Sequence, residues 1–324
     1  VAGRVGREQV GEALASGQTF LTFPGAETYL LFKQGFPLRE FCAFEVLDDD
    51  DAWENLAQGL FRPTVQAAVD GGYGLITDAL VWRASPDFLG KLGYAPGELR
   101  RINELGVARA DEVITAVGGH GDSPVIVSAD VGPRGDGYAV TPGATIGAAS
   151  ARDYHTPQIS ALADTNVALL MAWTMTSATE AAGIAQAAAD AGLPIVVSPT
   201  VETDGTLPDG TTLSEFVSRV DEATHGYPLF YMVNCAHPTH LDPTLRAARD
   251  HDEPWLSRFR GFRANASSKS HEELDSSTEL DAGDADDLAA RMAAMQAAYD
   301  LTVLGGCCGT DDRHIKAIAE ACSA

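Results

Sequence analysis

Eight short apolar runs, spread along the chain and separated by helix-like stretches, constrain its fold more than any other feature. They occupy residues 20–23, 74–77, 125–128, 167–171, 195–198, 229–233, 261–265 and 301–304. Each is nearly continuous in apolar character rather than alternating, the pattern of strands buried on both faces. Alanine-rich segments such as 178–191 and 285–299 read as the helices between them. Alternation of this kind builds a parallel sheet, either closed into a barrel or doubly wound. A doubly wound nucleotide-binding sheet carries a glycine-rich phosphate loop after its first strand. Here that position reads Phe23-Pro24-Gly25-Ala26-Glu27-Thr28, without the G-x-G-x-x-G pattern. The expected fold is therefore α/β, a single-domain (β/α)8 TIM-type barrel with loop insertions, for which 324 residues leave ample length.

Residues 1–18 read as a polar N-terminal helical extension without the apolar core of a signal peptide. No apolar run approaches the roughly 18–20 residues that cross a membrane. The acidic turn at 47–51 leads into a helix that Asp51 or a neighbour caps. The Ser-, Asp- and Glu-rich segment 267–287 is expected to be a surface loop or lid. Acidic residues outnumber basic ones 46 to 22, for a net charge of -24, so a phosphate backbone is repelled and nucleic acid is not a partner. An odd number of cysteines, five, argues against a disulfide framework and for a reducing cytoplasm, where thiols are free to bind metal. These features are compatible with a homo-oligomer and do not define one.

The last apolar run ends in Gly305-Gly306-Cys307-Cys308-Gly309-Thr310. Adjacent cysteines bridge each other only under strain. Two thiolates on one metal ion are easier, because the glycines let the backbone turn around it. Cys235, in Val233-Asn234-Cys235, closes the sixth run as the pair closes the eighth. In a barrel these strand ends face one mouth, so three thiolates can converge. Three protein ligands with an open fourth position describe a catalytic zinc (Zn2+) site. His237 and His240 are weaker candidates, Cys42 reads as a small buried hydrophobe, and Cys322 as an inert thiol of the last turn.

These motifs resemble the zinc-dependent homocysteine S-methyltransferases, which include betaine–homocysteine and S-methylmethionine–homocysteine methyltransferases. The resemblance is carried by 305–310 with His314-Ile315, by Val233-Asn234-Cys235, by Asn265, by Tyr154-His155-Thr156-Pro157-Gln158 and by Thr174-Met175-Thr176-Ser177. It implies a β/α barrel with zinc on Cys235, Cys307 and Cys308. The implied reaction moves a methyl group from a sulfonium or quaternary ammonium donor to a small-molecule thiol such as homocysteine. Two carboxylates that grip the homocysteine amino group are also implied, but their positions here hold Pro24 and Trp173. Glu27, Asp78 or Glu202 can substitute. Alternatively the acceptor has no α-amino group, and Arg83 or Arg263 meets a carboxylate.

The candidate substrate-binding residues are thus Asn234, Asn265, Trp173, Glu27, Trp82 and Tyr154, with no catalytic group beyond the metal-activated thiolate. Trp82, Trp173, Tyr154 and Phe23 fall near strand ends, where an aromatic face attracts a methylated cation by about 0.5–2 kcal/mol. Trp173 is expected to offer the donor such a face. Two other readings stand beside this one. The first is methyl transfer or demethylation with a different acceptor. The second is a non-catalytic zinc–thiolate sensor, which predicts no pocket above the metal.

Overall fold

The computed structural model describes residues 3–117, 123–138 and 146–324. Its strands are β1 (Phe20–Thr22), β2 (Gly74–Ile76), β3 (Val125–Ile126), β4 (Ser128–Val131), β5 (Leu169–Met175), β6 (Ile195–Pro199), β7 (Tyr231–Ala236), β8 (Phe259–Ala264) and β9 (Val303–Gly306). All pair in parallel, in the order β3-β2-β1-β9-β8-β7-β6-β5-β4. The two ends of that order, β3 and β4, are halves of one crossing separated only by Val127. The first half pairs with β2 and the second with β5, so the nine strands form a nearly closed α/β barrel of the TIM type.

Burial on both strand faces explains the continuous apolar runs. Leu21, Leu75, Leu170, Val197, Val233 and Leu304 face outward into a core shared with the surrounding helices. Phe20, Ile76, Ile126, Leu169, Met171, Val196, Met232 and Val303 fill the barrel interior. Residues at the chain start complete that interior: Val10 and Leu14, from the helix Val10–Ala15, pack against the inward side chains at the strands' amino ends. The helices begin where capping chemistry allows. Asp49 accepts from the Ala52 amide at 2.9 Å to start Asp50–Leu56, Ser177 caps Ala178–Asp190, and Asp284 caps Ala285–Tyr299. Among the described residues no helix is long and apolar enough to cross a membrane.

Several strands run further than their apolar residues predict, β5 and β7 among them. The run at 167–171 becomes β5, ending at Met175, and the run at 229–233 becomes β7, ending at Ala236. Polar residues extend the ladder because they satisfy one another inside the barrel. The Thr174 amide donates to Asn234 Oδ1 at 2.9 Å, Asn234 Nδ2 donates to Thr174 Oγ1 at 2.8 Å, and Ser198 Oγ donates to Asn234 Oδ1 at 2.8 Å. Trp173 and Cys235 therefore lie within strands rather than beyond them. The segment 267–287 holds a short helix, His271–Asp275; Ser267 Oγ–Asp281 Oδ2 at 2.8 Å closes it on itself, and His314 Nε2–Ala282 O at 2.8 Å ties it to the helix Asp312–Ala321.

Candidate metal centre

Three sulfurs, from Cys235, Cys307 and Cys308, lie within 4.8 Å of one another at the carboxyl ends of β7 and β9. Local backbone irregularity aims them. Cys235 has φ 55° and sits where the β7–β8 register shifts between Asn234 and Ala236. A bulge of this kind redirects a side chain at the cost of about 1–3 kcal/mol of local strain. Cys307 opens a tight turn: its amide donates to Ala264 O at 2.7 Å, and Thr310 Oγ1 donates back to Cys307 O at 2.7 Å. Gly309, at φ 80°, supplies the left-handed residue the turn needs. The turn after β1 packs directly on it, and at Gly25 a Cβ would run into the Cys307 carbonyl.

Cys235 and Cys307 are joined as a disulfide, with Cα atoms 5.5 Å apart, while Cys308 keeps a free thiol 3.9 Å from Cys235 Sγ. The sequence reading expects free thiols throughout; the fold brings two of them within bonding reach. Burial, followed by the nearby Glu27 carboxylate, pushes the Cys308 thiol up to about 11. Without a cation beside it, Cys308 is protonated at neutral pH. Once the disulfide is reduced, three soft donors within one ion's reach, open on the pocket side, fit a metal ion.

Above the sulfurs is a narrow cavity of about 30 Å³, room for roughly one water. Glu27, Phe41, Trp82, Tyr138 and Trp173 form much of its wall. Tyr138 leans over the sulfurs, its hydroxyl 3.5 Å from Cys235 Sγ and 4.0 Å from Cys308 Sγ. His271, from the segment 267–287, fixes the same region: Nε2 meets Cys235 O at 2.6 Å and Nδ1 meets Glu202 at 3.0 Å.

Away from the sulfurs the cavity ends in a buried charge network. Arg263, on β8, donates from Nε to Gly306 O at 2.7 Å, and from Nη2 to Pro24 O at 3.2 Å and Asp78 Oδ2 at 3.1 Å. Its guanidinium stacks 5.0 Å over the Trp173 ring. Trp173 Nε1 donates to Asp130 Oδ1 at 3.0 Å, and the Ala79 amide donates to Asp130 Oδ2 at 3.2 Å. Burial and the adjacent Asp78 charge hold the Asp130 carboxyl well above its ordinary range. Burial pushes Asp78 upward too, but the hydrogen bond from Asp130 and the Arg263 charge outweigh it and leave Asp78 below its ordinary range. Asp130 therefore carries the shared proton and Asp78 the charge.

The candidate residues divide by position. Asn234, Glu27, Trp82 and Trp173 line the cavity. Arg263 covers one face of Trp173, just as Arg83 lies 4.7 Å over Trp82. Tyr154 points elsewhere, its hydroxyl 3.0 Å from Ser85 Oγ and its ring under Arg134. Asn265 is buried beside the cavity with its Oδ1 unpartnered. His237 caps the helix Pro238–Asp250, where burial pushes its imidazole down to about 4. His240 bonds Ser268 O. Cys42 is fully buried, its thiol pushed by burial up to about 12, and Cys322 ends the last helix. Asp130, Tyr138 and His271 were not singled out from sequence. An acid closing an apolar run marks Asp130, whereas nothing local marks the other two.

The homocysteine S-methyltransferase family matches residues 68–322 of the chain. The chain belongs to this family of methyltransferases. Its fold is similar to crystal structures of the homocysteine methyltransferase MmuM from Escherichia coli. The metallated form superposes with a TM-score of 0.71 at 20% identity, covering 95% of this chain and 98% of that one. The oxidized form gives 0.72 at 19% identity, with the same coverage. The apo form gives 0.64 at 18% identity, over 96% and 98%. No curated protein matches the sequence. The matched region contains Cys235, Cys307 and Cys308.

Proposed function

We propose that this family member is a zinc-dependent S-methyltransferase of the reducing cytoplasm, acting as one barrel domain. It moves a methyl group from a sulfonium or quaternary ammonium donor to a thiol, homocysteine being the acceptor the family favours. The observation that carries the reading is the convergence of three thiols beneath a cavity walled by aromatic side chains. Zinc held by Cys235, Cys307 and Cys308 supplies the positive charge that keeps an acceptor sulfur ionised at neutral pH.

The chain's own residues supply the rest. An acceptor sulfur attacks the donor methyl carbon; a carbon–sulfur bond forms as the donor's bond to that carbon breaks, and the donor leaves neutral. No proton has to be delivered to the leaving group. Phe41, Tyr138 and Trp82 form the wall nearest an incoming methylated cation and keep water from competing. The cavity is smaller than two substrates, so Tyr138 must swing away from Cys235 and Cys308 as they enter. The sensor reading, which predicts no cavity over the sulfurs, is less well supported.

The test is reduced, zinc-loaded protein assayed with dimethylsulfonium and betaine-type donors crossed with homocysteine and other thiols. Methylated product that depends on zinc and on Cys308 is expected. Stoichiometric zinc with no methyl transfer from any donor would overturn the reading.

A further inference from the structure

Resting on the three-cysteine metal site rather than on methyl transfer, we propose that His271, braced by Glu202, is a positioning residue for that site and couples metal capture to the seating of segment 267–287. Cys235 is the ligand that most needs such support. It sits at φ 55° on a bulge, where the β7–β8 register passes from Asn234 to Ala236 without it. A bulge disrupts the ladder locally, so other groups have to fix the backbone there. Two side chains do so at the Cys235 carbonyl: His271 Nε2 donates at 2.6 Å and Thr200 Oγ1 at 3.3 Å. Cys235 is buried, so these donors stand where water would otherwise satisfy the carbonyl.

The imidazole is itself held. Its Nδ1 meets Glu202 Oε1 at 3.0 Å, and its ring packs 5.1 Å from the Tyr138 ring. Glu202 lies in a closed turn after β6, where its amide donates to Thr206 O at 2.8 Å and its carbonyl accepts from the Gly205 amide at 2.9 Å. Carboxylate, imidazole and carbonyl thus form a chain across the ends of three strands, β6, β8 and β7.

The same segment also meets the turn that carries Cys307 and Cys308. A Cβ on Gly309 would come within 2.7 Å of Asp281 O, so glycine is what lets segment and turn approach this closely. Ala266, just before the segment, donates its amide to Cys308 O at 3.0 Å. Ser267 and Lys269 reach Asp281 at 2.8 and 3.2 Å and hold it over this contact. Segment 267–287 therefore touches both backbone elements that bear the sulfurs. A bound metal fixes those elements relative to one another, and a seated segment does the same. By reciprocity each favours the other.

The experiment compares reduced wild type, His271→Ala, His271→Gln and Glu202→Ala by chelator competition for zinc and by amide hydrogen exchange with and without zinc. Exchange over 267–287 in wild type should be slower with zinc than without. His271→Ala should bind zinc about 10–100-fold more weakly and lose most of that zinc-dependent protection. Glu202→Ala should shift both readouts in the same direction by a smaller amount. His271→Gln, whose amide nitrogen can still donate to the Cys235 carbonyl, should recover much of both. A merely structural role would speed exchange equally in the two states and leave the difference between them unchanged. Zinc affinity unaltered in His271→Ala, or zinc-dependent protection undiminished in it, would overturn the assignment. If His271→Ala misfolds, Glu202→Ala decides by the same readouts, its side chain being 31% exposed. Reduced wild type that takes up no zinc would overturn the metal-site reading itself, whereas zinc held equally by wild type and His271→Ala would overturn the coupling alone.

Discussion

Asp78 and Asp130 are neighbours in one buried network, yet replacing each by asparagine should have different consequences. Asp130 holds the shared proton, so Asp130→Asn exchanges one neutral hydrogen-bonding group for another. Its carbonyl can still accept from Trp173 Nε1 or Ala79, and its amide can donate to Asp78 as the carboxyl does. The amide keeps one acceptor where the carboxyl offers two, so one buried donor loses its partner and a loss of about 1–3 kcal/mol is expected. Asp78 carries the charge that faces Arg263, which is 6% exposed. Removing one member of a buried pair costs about 3–5 kcal/mol, because the other charge stays buried without compensation. Release of the Asp130 proton can restore part of that charge, so the single variant should lose about 1–3 kcal/mol and the double variant the full amount. At a slope of about 3 kcal/mol/M, the double variant's urea midpoint should fall by at least ~1 M.

The pH dependence separates the roles. The Asp130 carboxyl is raised by folding, so its contribution is present at acid pH and is lost as pH climbs through its folded pKa. Asp130→Asn should therefore flatten the stability profile above about pH 4. The Asp78 carboxyl is lowered by folding, so its contribution is present above about pH 4 and is lost as pH falls through its folded pKa. Urea titrations of reduced protein across pH measure both. An unchanged profile in Asp130→Asn would refute the proton assignment.

Other perturbations test the metal centre. Cys308→Ser should bind zinc well below one equivalent by elemental analysis, because two thiolates and a hydroxyl make a poor soft-donor set. Gly25→Ala should destabilise the protein by about 1–3 kcal/mol and weaken metal binding, since its Cβ meets the Cys307 carbonyl, while Gly147→Ala, which meets nothing within 4 Å, should be close to neutral. Thiol titration of denatured protein should count three cysteines in the disulfide state, namely Cys42, Cys308 and Cys322, and all five after reduction. Only the reduced protein should take up zinc.

How far the sequence reaches can be judged residue by residue. Continuous apolar runs marked every barrel strand because burial on both faces demands them. The boundaries of β5 and β7 escaped because Thr174, Asn234 and Ser198 bond one another across strands, a pairing that depends on register. The three cysteines were legible from their places at strand ends. Their joining as Cys235–Cys307 was not, since it depends on the bulge that turns Cys235 and on the turn that presents Cys307. Tyr138 reaches the sulfurs and His271 the Cys235 carbonyl from outside the strands, at distances in sequence that no local pattern encodes.

The network around Arg263 shows the division most clearly. Sequence alone determined that Pro24 and Trp173 are not carboxylates, and that Arg263, Asp78 and Glu27 were available. Only the tertiary structure decided that Arg263 covers the Trp173 face, that Asp78 neutralises it, and that Asp130 keeps a proton. Residue identity follows from the chain, but the charge and availability of a buried group follow from the partners that folding places beside it.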